Sequence, residues 1–73
     1  MHSYIAFIQD DGRASNAIIT AETSKEALEL LYKYNTIIGR FRNVLSIHLL
    51  TGKYKDLPVE VYISKKWIKF KNE

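Results

Sequence analysis

Residues 18–34 read IITAETSKEALELLYKY, and a change of period inside this stretch decides the fold. Ile18-Ile19-Thr20 is β-branched and suits an extended, half-buried backbone. Thr23-Ser24-Lys25-Glu26 then reads as a capping box, with Thr23 capping the backbone and Glu26 reaching back to it. Beyond it Ala27, Leu30, Leu31 and Tyr34 recur at the i, i+3, i+4, i+7 spacing of one helical face. Leu28 and Tyr32 widen that face, while Lys25, Glu26, Glu29 and Lys33 lie mostly opposite. A strand therefore gives way to a helix that packs by one side. Asn35 reads as its C-terminal cap, and Gly39 marks the loop that carries Ile37 and Ile38 back toward a sheet.

Upstream, Tyr4-Ile5-Ala6-Phe7-Ile8 is a β-branched and aromatic run followed by Asp10-Asp11-Gly12-Arg13, and the Asp-Gly pair is a strong hairpin signal. The return strand runs through Ala17-Ile18-Ile19-Thr20, its start obscured by Ser15 and Asn16. Downstream, Val44–Leu50 reads as a third strand and as an inner one. In it Leu45, Ile47 and Leu49 share one face and Val44, Ser46, His48 and Leu50 the other. Thr51–Pro58 is a turn-rich connection, after which Val59, Val61 and Ile63 alternate with Glu60, Tyr62 and Ser64 as a fourth strand. The alternation breaks at Lys65-Lys66, before Trp67-Ile68-Lys69-Phe70. That break is either a bulge, the reading preferred here, or a tight turn into a fifth short strand. The expected fold class is α+β: one domain over residues 1–73, in the order β-β-α-β-β, with a mainly antiparallel sheet and the helix packed on one face. One helix cannot cover both faces of so apolar a sheet. The second face is left for a partner or a second copy.

The composition sets bounds. Seventy-three residues allow one core, and chains this short bury only about 60% of the surface their unfolded form exposes. With 47% hydrophobic and 26% charged residues the chain is of the folding class. The absence of cysteine excludes disulfides and thiolate metal sites and fits a reducing compartment. No window approaches a membrane span or a secretory leader, so a cytoplasmic protein without membrane contact is expected. The net charge of +3 divides unevenly. Residues 1–32 hold two basic and five acidic side chains, whereas residues 33–73 hold nine basic and three acidic. Such a division can steer an acidic protein or a nucleic acid toward the C-terminal half.

Catalytic chemistry finds little to work with. Two histidines without cysteine offer no metal-ligand spacing, the serines lack a nucleophile-elbow setting, and three scattered glycines build no phosphate loop. Asp10 and Asp11 are accounted for by the turn. The expectation is a non-enzymatic protein without a cofactor. The functional signal is basic and aromatic interleaving: Arg40 and Arg42 around Phe41, Lys53-Tyr54-Lys55 in the connection, and Lys65, Lys66, Trp67 and Lys69 at the end. These nine residues are the candidate partner-binding set, because cations can pair phosphates or carboxylates while rings stack. Edge lysines also protect a sheet from aggregation, and a tryptophan such as Trp67 is more often part of a core edge.

The stretch Ile18 to Leu30 resembles the corresponding segment of the small RNA-polymerase inhibitor proteins of T-odd coliphages, which are similarly short and have a β-β-α-β order. That resemblance implies a phage-type protein that binds a host enzyme, possible partners being RNA polymerase or other host machinery. In the inhibitors the third strand presents arginines where this chain has Ser46 and His48, with Arg40 and Arg42 slightly earlier. The final strand expected here has no counterpart there. Three functions are thus in view: a small binding protein that modulates a larger protein, a nucleic-acid-binding module using the basic-aromatic surface, and a homo-oligomeric structural subunit.

Overall fold

The hairpin forms where the Asp-Gly pair places it. The computed structural model describes residues 1–10, 12–38 and 43–66. In it β1 (His2–Asp10) and β2 (Arg13–Ala21) pair antiparallel from His2 opposite Ala21 to Asp10 opposite Arg13. Only two residues join them, and Gly12 adopts φ 79°, a left-handed value that glycine takes without Cβ strain. The tight loop lets pairing run to the strand ends, so Ser15 and Asn16 lie inside β2.

Helix α1 (Ser24–Ile38) starts at the capping box. The Glu26 backbone N–H donates to Thr23 Oγ1 at 3.1 Å, and Glu26 Oε1 accepts from the Glu22 N–H at 3.0 Å. The glutamate thus reaches one residue beyond the expected Thr23, and the Ala27 N–H meets the Thr23 carbonyl at 3.0 Å. Asn35 does not cap the helix. The backbone remains helical through Ile37 and Ile38, with the Thr36 hydroxyl donating to the Tyr32 carbonyl at 3.1 Å. Tyr32 is 52% exposed and does not widen the apolar stripe. A turn of roughly 100° per residue puts Leu28 at the rim of a stripe centred on Ala27, Leu31 and Tyr34, and Tyr32 beyond it.

The sheet order is β3-β1-β2-β4. Strand β3 (Asn43–Leu49) pairs antiparallel with the free side of β1 and is therefore, among the described residues, an edge strand and not the expected inner one. Its register shifts where Phe7 faces Ser46 and Ile8 faces Val44, leaving Leu45 as the extra residue of a β-bulge. The bulge puts Val44 beside Ile47 at the core rim and leaves Leu45 60% exposed, against the expected alternation. Strand β4 (Val61–Ser64) begins two residues later than expected and pairs parallel with β2, from Ala17 opposite Val61 to Thr20 opposite Ser64. Lys65-Lys66 do not form the preferred bulge: these residues are helical. The fifth strand expected over Trp67–Phe70 falls outside the described residues. Among the described residues the fold is α+β, with α1 packed on a mixed four-stranded sheet whose pairings are antiparallel except at β4.

The core lies between α1 and one face of the sheet. Tyr4, Ala6 and Ile8 from β1, Ala17, Ile19 and Ala21 from β2, and Ile63 from β4 meet Ala27, Leu30 and Leu31. Alanines on both layers leave room for the branched side chains between them. The opposite face is not bare. Strands β2, β3 and β4 run parallel to one another, so the chain crosses β1 twice, once through α1 and once through residues 50–60. Crossovers of one hand that travel in opposite directions along a sheet fall on opposite faces. Accordingly the 50–60 segment lies over the second face, and Ile5, at the centre of that face, has 0% exposure.

Candidate functional site

Alternation along the strands sends Ile5, Phe7, Ile18, His48 and Tyr62 to the second face. Residues 50–60 arch across it and are fastened at both ends. At the β3 end the Leu50 N–H donates to the Ser3 carbonyl at 2.9 Å. At the far end Asn16 holds the chain twice, donating from Nδ2 to the Pro58 carbonyl at 2.8 Å and accepting the Glu60 N–H on its own carbonyl at 3.0 Å. Arg13 joins Glu60 through an exposed ion pair of 2.7 Å. Between these points a short 3-10 turn, Gly52–Tyr54, opens with the Tyr54 N–H on the Thr51 carbonyl at 3.1 Å. The Leu57 N–H on the Tyr54 carbonyl, also at 3.1 Å, continues the tight path.

The turn drives Tyr54 down onto the β1–β3 half of the face. Its ring lies 6.0 Å from His48 with the planes only 27° apart, and 6.0 Å from Phe7 edge to face. Phe7 and His48 meet edge to face at 5.7 Å. Lys53 Nζ sits 5.3 Å from the centre of the Tyr54 ring, within cation–π range. His48 Nε2 and Ser46 Oγ share a hydrogen bond of 3.0 Å. A serine and an imidazole at that distance resemble a nucleophile and its base, but acyl transfer also requires an orienting group and oxyanion donors. Here the imidazole is packed by Phe7 and Tyr54, and the bond satisfies a polar ring on an outer strand.

Over the β2–β4 half the arch stands off the sheet. A groove of about 440 Å³ remains there, with Ile18 on its sheet side, Leu57 and Val59 from the arch, and Tyr54 and Tyr62 flanking it. Lys55 also lines it. At the opposite side of the molecule β3 is an open edge among the described residues, with Leu45 and Leu49 exposed at 60% and 53%. No lysine, arginine or proline guards Asn43–Leu49 against strand addition, and the bulge at Leu45 is the irregularity along it.

The candidate set read from sequence is only partly brought together. Lys53, Tyr54 and Lys55 share the arch, but the Tyr54 ring is spent on packing. Lys65 and Lys66 follow β4, at the edge opposite β3. Arg40, Arg42, Trp67 and Lys69 fall outside the described residues. Missing from that set were Leu45 and Leu49 at the edge and Ile18, Leu57 and Tyr62 at the groove. The shared parity of Phe7, Ile18, His48 and Tyr62 was the available signal. Among the described residues no group of three or more acidic or histidine side chains is placed to hold a metal ion, and no helix is long and apolar enough to cross a membrane. Comparison with protein-family models, curated proteins and solved structures finds no match.

Proposed function

We propose that this chain is a small protein-binding module that modulates a larger partner by accepting an extended segment of it along β3. The reading is carried by one observation: β3 is an outer strand of seven residues that exposes Leu45 and Leu49 and bears no guarding charge. The Leu50 N–H is directed inward to β1, so by alternation the N–H and C=O groups of Leu49 and Ile47 point outward. They are ready to receive a strand, and the leucines supply side-chain specificity. The excess of basic residues after position 33 favours an acidic partner over a second copy, because like charges repel as two copies approach. A phage-type protein directed at host machinery, as the resemblance at Ile18–Leu30 implies, would act in this way.

The test is capture of a partner from a lysate of the source organism, comparing the native chain with Leu45→Lys and Leu49→Lys. Both variants should lose the partner while keeping the native circular dichroism. Capture that survives both substitutions overturns the reading. So does a doubled mass by sedimentation that the lysines abolish, which would make the edge a homodimer interface. Retention of nucleic acid that weakens steeply with salt would move the function to the basic surface.

A further inference from the structure

We propose that the groove under the arch binds a small organic anion with a flat apolar body, of the class of aromatic carboxylates. This site is separate from the β3 edge, since none of its lining residues lies in Asn43–Leu49. The arch uses Tyr54 to fill the β1–β3 half of the second face and leaves the other half unfilled, although Ile18 and Tyr62 present apolar surface there. The void of about 440 Å³ is of the size of ordinary ligand sites, which run from roughly 300 to 1,000 Å³. Two tyrosines flank it, and Tyr62, 69% exposed, leaves most of its surface open. Such a ring accepts a flat body by stacking or edge contact.

Charge selects the head group. Lys55 is the cationic side chain that lines the groove, and Thr51 lines it too. Of the two carboxylates of the arch, Glu60 is already held by Arg13 at 2.7 Å, and Asp56 is not among the lining residues. The mouth therefore offers a cation to an anion above an apolar floor. Ser3 and Asn16 fasten the arch at its two ends, so little ordering is left to binding.

The experiment is a titration of the full chain with 2-naphthoate, followed by amide chemical shifts, with neutral 2-naphthamide as the comparison. Saturable shifts are expected at Ile18, Thr51, Leu57 and Tyr62. Lys55→Glu and Tyr62→Ser should each weaken binding at least about fivefold, and the amide should bind correspondingly less tightly than the acid. Leu45→Lys, at the far edge, should change nothing, which separates failure here from failure of the strand-binding reading. The proposal is overturned by an absence of saturation at millimolar ligand, by shifts that map to β3, or by an affinity that neither groove substitution alters.

Discussion

Two single residues test the bookkeeping of polar groups. Ser15 lies in β2 opposite Ile8, and its Oγ is buried with no hydrogen-bond partner. An unpaired buried hydroxyl costs stability, so Ser15→Ala should stabilise the domain by about 1 kcal/mol, seen as a rise of roughly 4–8 °C in a thermal melt of a chain this size. Thr23 is the opposite case. Its Oγ1 satisfies the Glu26 N–H, and Thr23→Ala should lower stability by about 1 kcal/mol, measured by urea denaturation. The cap was legible because it depends on four neighbouring residues. The burial of Ser15 was not, since it depends on which side of the hairpin the helix later covers.

At the scale of elements, the arch behaves as a second covering layer in place of a second helix. Tyr54→Ala removes the ring stacked on His48 and set against Phe7, and should cost about 2 kcal/mol while opening Ile5 to solvent. Equilibrium unfolding measures the loss, and faster exchange of the Ile5 amide would locate it. Leu45→Lys, by contrast, should leave stability within about 0.5 kcal/mol, because the side chain is already in water. The same elements show where sequence reading stops. Asp-Gly, the capping box and the apolar stripe are local, and they yielded the hairpin and the helix. That β3 is an edge, and that Leu45 is an extra residue, depends on the pairing of β1 with two partners at once. The groove escaped notice because Thr51–Pro58 has the composition of a mere turn, and only its path across the sheet makes it a roof.

For the whole molecule, the basic excess noted in the sequence lies off the β3 strand itself. Strand β3 carries no lysine or arginine, while Lys53, Lys55, Lys65 and Lys66 are spread over the arch and the β4 end. Salt should therefore slow association with an acidic partner more than it hastens dissociation, which rapid-mixing rates at two ionic strengths would show. Among the described residues β4 pairs with a single neighbour at only four positions, whereas β1 is paired on both sides. Its amides should exchange with solvent at a lower opening free energy than those of β1. The parallel closure of β4 on β2 also sets a chronology. Chains fold from the N-terminal end as they are synthesised, and hairpin, helix and β3 can associate before Val61–Ser64 exists. During that interval the Ala17–Thr20 side of β2 has no neighbour, so the nascent sheet ends at β2 where the finished one ends, among the described residues, at β4.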